Sequence, residues 1–329
     1  MTINKQRLLV VIVNYKTSEL VCSMLSNLTS QLDPTIDKVC IVDNDSADNS
    51  AEKLAQHITD NHLQHFVELI ASEHNGGFSY GNNLAIRPAF NDPIQSPDFY
   101  LLLNPDTIVT ASAISELLEF MNKHPQAGIA GSQLEEPDGT IQGSFFRFHS
   151  ILSELNSSLH LGIISRLLSK WTISPEMVKD ECLTDWVAGA SMMIRRKVFE
   201  DIGLMDEHYF LYFEETDFCL QAKRKGWQCW YVPQSRVVHL VGQSTGVVSG
   251  NVKCPRRPKY WFEARQYYFI KNHGYFYTMM ADLTWGLGFT LWRLRRFIQR
   301  KQDTDPENML VDFWRNSIFL TVFNGKNKS

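Results

Sequence analysis

The sequence lacks a C-x-x-C pair. Its six cysteines, Cys22, Cys40, Cys182, Cys219, Cys229 and Cys254, are scattered along 329 residues, which weighs against a zinc module and reads as reduced thiols of a cytoplasmic protein. Charge of one sign is lacking too. With 32 Lys and Arg against 36 Asp and Glu, the formal net charge of -4 gives no reason to expect a nucleic-acid partner. No G-x-G-x-x-G follows the first apolar run, which counts against a dinucleotide site, and no internal repeat is visible. The opening apolar run is cut off by Asn14 and Tyr15, too early for a secretory h-region, so it reads as a first strand. What is present is a globular composition, 44% hydrophobic and 21% charged, in a chain long enough for one large core or two modest ones.

Apolar runs without alternation mark strands covered on both faces. Leu8 to Val13, Val39 to Val42 and Tyr100 to Leu103 fit that pattern, and Phe66 to Ala71 and Gly128 to Ser132 read as further strands. Helical stretches separate them: one capped by Thr17 or Ser18 and running to Gln31, one capped by Ser50 and ending near Thr59, one ending near Phe90, and one from Ala111 to Lys123. This alternation predicts an α/β fold, a doubly wound and mostly parallel sheet of Rossmann-like type. From Gln133 to Asp185 the pattern loosens around Phe145, Phe146 and Phe148, and an amphipathic stretch follows from Leu152 to Leu168. It reads as an insertion lining one side of a cleft. Order returns with the apolar Met192 to Ile194, a helix from Arg196 to Ile202, a helix through Phe218 to Lys225, and a short strand at Val237 to Leu240.

Parallel strands place their carboxyl ends on one rim, where ligands bind in open α/β sheets. Three loops fall there: Asn14-Tyr15-Lys16-Thr17, Asp43 to Ser46, and Asn104-Pro105-Asp106. Pro105 cannot donate to a ladder and ends its strand. Asp106 beyond it suits a divalent cation shared with substrate phosphates, and equally suits a plain turn and helix cap. Asp43 is placed to accept hydrogen bonds from a base or ribose. The polar loop Asn75 to Asn83, with Gly76 and Gly77, offers backbone N–H groups to phosphates, or is only a loop. Together these favour a nucleoside-diphosphate ligand. Glu214, Glu215 and Asp217 crowd one helix N-terminus. The dipole alone accounts for that, yet Tyr209, Phe210, Tyr212, Phe213 and Phe218 around them would desolvate a carboxylate into a general base. His239, an ordinary core histidine on its own, precedes the loop Gly242-Gln243-Ser244-Thr245, which makes it a candidate ligand.

After residue 250 the composition shifts. Pro255 to Lys259 is basic, Tyr260 to Tyr277 is aromatic, and an apolar stretch to Trp292 ends in Arg293, Arg295, Arg296, Arg300 and Lys301. Asp282, Gly286 and Gly288 argue against a spanning helix. A helical extension over 251–329 lying on the membrane surface is expected, with aromatics inward and arginines at the phosphates through 255–301. A helical pair docked on a catalytic domain over 1–250 is the alternative.

As a set, VIVNYKT (Val11 to Thr17), VDNDSADNS (Val42 to Ser50), NGGFSYGNN (Asn75 to Asn83), LLLNPD (Leu101 to Asp106), DWVAGASMMIRR (Asp185 to Arg196), MDEHYFLYFEETDFCLQAKRKGW (Met205 to Trp227) and VVHLVGQST (Val237 to Thr245) resemble inverting family 2 glycosyltransferases of the GT-A fold. The similarity is to bacterial rhamnosyltransferases of cell-surface polysaccharide assembly. It implies that Asp43 contacts a pyrimidine base, that Asn104 and Asp106 stand at the D-x-D motif, and that His239 completes a Mg²⁺ or Mn²⁺ site with Asp106. It further implies a catalytic base in Glu214-Glu215, Glu215 taking the place of an Asp, and a donor-sugar or acceptor pocket shaped by Trp186 and Gly189. The implied donor is a dTDP- or UDP-sugar, dTDP-L-rhamnose first. The implied acceptor is a glycan or a polyprenyl-diphosphate-linked sugar at the inner face of the cell membrane. A sugar-nucleotide pyrophosphorylase would need a Gly- and Arg/Lys-rich loop that VIVNYKTSEL lacks. A catalytically silent sugar-nucleotide-binding scaffold would have no use for base and metal ligands together.

Overall fold

The computed structural model describes residues 6–240 and 255–321. The loop Gly242-Gln243-Ser244-Thr245 and Cys254 lie outside the described residues. The chain packs as two compact units: Met1–Phe146, Glu176–Phe210 and Glu214–Val248 form one, and Arg147–Pro175, Leu211–Phe213 and Ser249–Ser329 the other. The division is therefore not one cut after residue 250, because residues 147–175 pack with the C-terminal segment.

In the first unit the elements run β1 (Leu8–Asn14), α1 (Ser18–Thr29), β2 (Lys38–Asp43), α2 (Ser50–Asp60), β3 (Val67–Ala71), α3 (Gly77–Asn91), β4 (Phe99–Leu103), β5 (Thr107–Val109), α4 (Ala113–Lys123), β6 (Ala127–Glu135) and β7 (Phe145–Phe146). After the excursion into the second unit come β8 (Cys182–Thr184), β9 (Trp186–Val187), β10 (Ser191–Arg195), α7 (Arg196–Ile202), α8 (Glu214–Arg224) and β11 (Gln228–His239). The main sheet has the order β3-β2-β1-β4-β10-β6-β11-β5, with β8 also on β11. β1, β2, β3 and β4 pair in parallel, and β10 enters antiparallel between β4 and β6. The apolar runs are continuous because helices cover both faces: every residue of β4, and all of β1 except Val13, is buried.

Several local expectations shift. The segment after Gly76 is not a loop to Asn83, since α3 already begins at Gly77. Neither Thr17 nor Ser50 makes a side-chain cap. Thr17 instead donates its hydroxyl to Asn14 Oδ1 at 2.9 Å, and Ser50 is the first residue of α2. The short strand at Val237 is the end of a twelve-residue β11, which shifts register between Val232 and Arg236 around Pro233, a residue with no ladder donor. β5 pairs antiparallel with that end, placing His239 opposite Thr107, the neighbour of Asp106.

The second unit is helical: α5 (Ile151–Leu159), α6 (Gly162–Leu167), α9 (Lys259–Ile298), α10 (Met309–Arg315) and α11 (Ile318–Thr321). The amphipathic stretch from Leu152 is two helices, broken where His160 takes a left-handed conformation at φ 48°. α9 is broken at Gly274, φ 81°, a conformation that favours glycine. Two further glycines allow close packing. A Cβ at Gly286 would sit 2.2 Å from the Trp314 ring, and one at Gly288 2.1 Å from Ser158 Oγ. No helix among the described residues is long and apolar enough to cross a membrane.

Candidate active site

The ends of β1 and β2 are tied by a buried polar network. Asp43, 5% exposed, accepts from Asn14 Nδ2 and Ser46 Oγ at 2.6 Å each and from Ser46 N at 3.2 Å. Asn14 Oδ1 in turn takes the backbone N–H and the hydroxyl of Thr17, and Ser46 Oγ accepts from Lys16 N at 2.9 Å. Asp43 is thus held as an oriented acceptor, and Tyr15 beside it is exposed, with Lys16 Nζ 5.1 Å from its ring centroid. Asn44 extends the network to the glycine turn, donating to Asn75 Oδ1 and Gly77 O at 3.0 Å each. Asn75 Oδ1 also accepts from Gly77 N. Gly77, at φ +87°, is compressed against the Phe210 carbonyl, where a Cβ would come within 1.9 Å, and Phe78 N donates to that same oxygen at 2.8 Å. Gly76 lies under the Tyr80 ring.

Asp106 is 1% exposed, and His239 Nε2 lies 3.5 Å from its Oδ1. The Gln142 side chain fixes the histidine: its Nε2 donates to His239 O at 2.9 Å, so its Oε1 faces His239 Nδ1 at 3.1 Å and can only accept. Nδ1 must then carry a proton, and in the neutral ring Nε2 turns its lone pair toward Asp106. A buried carboxylate and an oriented imidazole suit a divalent cation completed by substrate oxygens. Among the described residues no group of three or more His, Cys, Asp or Glu is placed to hold a metal, so this pair would supply only part of the shell. Asn104 lies just before it, its backbone donating to Ala190 O and accepting the Thr107 hydroxyl.

Glu214 and Glu215 open α8. Glu214 is 3% exposed, and one oxygen of each carboxyl, Oε2, is shut from solvent with no hydrogen-bond partner. Burial pushes the Glu214 carboxyl well above the usual range, and the adjacent Glu215 charge adds to it. Burial raises Glu215 as well, while its own and the Gly189 backbone N–H groups pull it part of the way back. Gly189 is where the pieces meet: a Cβ there would lie 3.1 Å from the Phe78 ring and 3.7 Å from Glu215 Oε1. Asp217 is also buried but accepts from Gln221 Nε2 one turn along its own helix. Tyr209 and Phe218 are buried as expected of a dry site, whereas Phe210 is 39% exposed and contributes its backbone oxygen.

Of the remaining expected residues, Trp186 stacks on Phe146 at 4.2 Å between centroids. Asn83 lies inside α3, donating to Met205 O and Glu207 Oε1 and accepting from Met205 N, so it joins α3 to the segment before α8. Sequence reasoning passed over Asn44 and Gln142. The polar run Asp43-Asn44-Asp45-Ser46 hinted at Asn44, and nothing in the irregular stretch around Gln142 marked it.

Comparison with known proteins agrees with this geometry. A model of the family described as "Glycosyltransferase like family 2" matches residues 6–266. A Mycobacterium tuberculosis N-acetylglucosaminyl-diphospho-decaprenol L-rhamnosyltransferase is 28% identical over 157 residues, 45% of this chain and 49% of the relative. A Haloferax volcanii low-salt glycan biosynthesis hexosyltransferase is 27% identical over 223 residues, 66% of this chain and 61% of the relative. The chain thus spans about half to three fifths of the length of these curated relatives. In fold it is similar to a Pyrobaculum calidifontis mannosyltransferase solved with GDP-Man and Mn²⁺, with a TM-score of 0.57 and 12% identity, covering 91% of this chain and 76% of that one. The matched span carries the rim, the Asp106–His239 pair and the Glu214–Glu215 pair alike, and on that ground the chain belongs to glycosyltransferase family 2, with a GT-A type fold.

Proposed function

We propose that this enzyme transfers L-rhamnose from dTDP-L-rhamnose to a sugar on a polyprenyl-diphosphate carrier, with inversion, at the inner face of the cell membrane. The observation that carries the reading is the enclosed carboxyl of Glu215, raised in proton affinity and set against Gly189 and the first turn of α3. Glu215 takes the proton of an acceptor hydroxyl as that oxygen bonds to the anomeric carbon, and the bond from that carbon to the diphosphate breaks on the opposite face. Nucleoside diphosphate leaves with the electron pair. One displacement inverts the centre, so no protein nucleophile is required. Glu214, raised by burial and by the adjacent Glu215 charge, keeps the pair short of solvent, and Asp217 steadies the turn.

Asp43 accepts from the pyrimidine, with Asn14 and Tyr15 at its edge. Asn75, Gly76 and Gly77 face the diphosphate with Asn104, and Asn83 secures the helix that carries them. Trp186 and Gly189 bound the sugar pocket. Asp106 and His239 would hold Mg²⁺ or Mn²⁺, which supplies positive charge to the leaving diphosphate when bound. Residues 255–301 supply the membrane contact that a lipid-linked acceptor calls for. The donor sugar follows the Mycobacterium relative; the Haloferax relative, described as a hexosyltransferase, favours a UDP-hexose as the second reading.

The test offers dTDP-L-rhamnose and UDP-hexoses, each with Mn²⁺, to the enzyme with a synthetic N-acetylglucosaminyl-diphospho-lipid, and weighs the products by mass spectrometry. A lipid heavier by one deoxyhexose is expected. Hexosylation alone would install the second reading, and binding of nucleotide without any product would leave a silent scaffold.

A further inference from the structure

The segment of α9 after Gly274 is apolar on two opposite sides. One side faces the second unit's own core, with Thr278, Asp282, Trp285, Phe289 and Arg296 buried. On the other side Phe276, Leu283, Leu287, Leu291, Leu294 and Ile298 are 39% to 77% exposed. At about 100° per residue these six lie within roughly 40° of one line running the length of the helix. A helix that is apolar all round belongs in an apolar surrounding on every side, and among the described residues this one meets protein on one side only.

We propose that this outward face is a docking surface for the anionic headgroup region of a lipid bilayer, with the helix lying in the interface. Charge selects that occupant. Asp282, buried, is the one carboxylate between Gly274 and Gln302, while Arg300 and Lys301 are exposed at the end of the stripe. Exposed apolar side chains are also found on α6. His160 stacks on Trp292 at 4.8 Å, and Arg295 donates to Leu159 O and His160 O, so α6 starts beside the last turns of α9. There Ile163 and Leu167 are 75% and 70% exposed, and Arg166 and Lys170 beside them are exposed cations. Leucines below and cations at the rim form the pattern of an interfacial amphipathic helix. The eleven-residue spacing of Phe276, Leu287 and Ile298 keeps the stripe close to one line along the helix. The surface is narrower than residues 255–301: Phe262, Tyr268 and Phe269 are buried in the second unit, and the outward face is chiefly aliphatic.

The inference rests on the membrane-bound acceptor proposed above for its purpose, but its test needs no acceptor. Full-length protein is co-sedimented with phosphatidylglycerol-rich vesicles and with pure phosphatidylcholine vesicles, beside a Leu287→Glu/Leu291→Glu variant and an Arg300→Glu/Lys301→Glu variant. Wild type is expected to bind the anionic vesicles, the leucine variant at least about 10-fold more weakly. The charge variant should weaken anionic binding about fivefold per cation and leave phosphatidylcholine binding unchanged. Absence of wild-type binding, or equal binding by both variants, overturns the proposal. So does a dimer, seen by light scattering, that the leucine variant splits, since the face would then be a self-interface. Circular dichroism and dTDP binding, both expected unchanged, separate these outcomes from misfolding and from failure of the transfer reading.

Discussion

Two pairs of carboxyls, one in each unit, meet opposite surroundings. In the second unit Arg265 lies between Glu154 and Asp282, with 2.5 Å to an oxygen of each, and Asp282 Oδ2 also accepts from Ile318 N. Burial alone would push Glu154 up, yet the Arg265 charge and His149 more than offset it and its proton affinity is lowered. In the first unit Glu214 is as deeply enclosed and Glu215 is partly so, no ion pair among the described residues brings either a cation, and both are raised. Burial does not decide what a carboxyl does; the charge placed beside it does. The paired carboxyls hold helices α5, α9 and α11 together, and the pair without a cation is left able to accept a proton.

Removing the cation is the strongest way to break that contrast. Arg265→Met leaves two buried carboxylates uncompensated and should cost about 3–5 kcal/mol in denaturant unfolding. Adding Glu154→Gln and Asp282→Asn should recover most of it. If the single substitution is nearly neutral, the cluster is not what holds these helices.

Another buried carboxyl, Asp106, sharpens the contrast from between the extremes. Asp106 faces an imidazole whose orientation depends on Gln142. Gln142→Leu should therefore weaken Mn²⁺ binding about 10-fold by calorimetry, with dTDP binding in the absence of metal unchanged. An unaltered Mn²⁺ affinity would remove His239 from the metal.

The smallest effect is on stability against pH. A carboxyl whose folded pKa is raised contributes stability below its unfolded pKa and loses it as pH rises through the folded value. Glu214→Gln should accordingly raise Tm by about 2 °C at pH 8 and by less at pH 5. Glu154 has the opposite sign: its contribution is present above the unfolded pKa of about 4.3 and is lost as pH falls through the lowered folded value. A Glu214→Gln gain that shrinks as pH rises would mean the pair is not raised.

The first unit was largely legible because its signals are local. The runs in β1 and β4 identify strands buried on both faces, and Arg196 to Ile202 reads as the helix it is. The direction of β10 was not legible, since an apolar run looks the same paired either way. Gln142 was not, because its partner His239 is 97 residues away. The second unit was harder. Residues 147–175 join it through the Arg265–Glu154 pair and the Gly288–Ser158 approach, contacts that span more than 100 residues with no periodicity to announce them. The aromatic run from Tyr260 supplies interior packing, Tyr268 against Phe213 and Phe269, and the outward face falls to the leucines that follow.

The central claim is that Glu215 is the base, and one substitution tests it most directly. Single-turnover transfer from dTDP-L-rhamnose by Glu215→Gln should fall at least about 100-fold, while calorimetric dTDP binding stays at the wild-type value. Near wild-type turnover in that variant would contradict the account and move the base to Glu214 or Asp217.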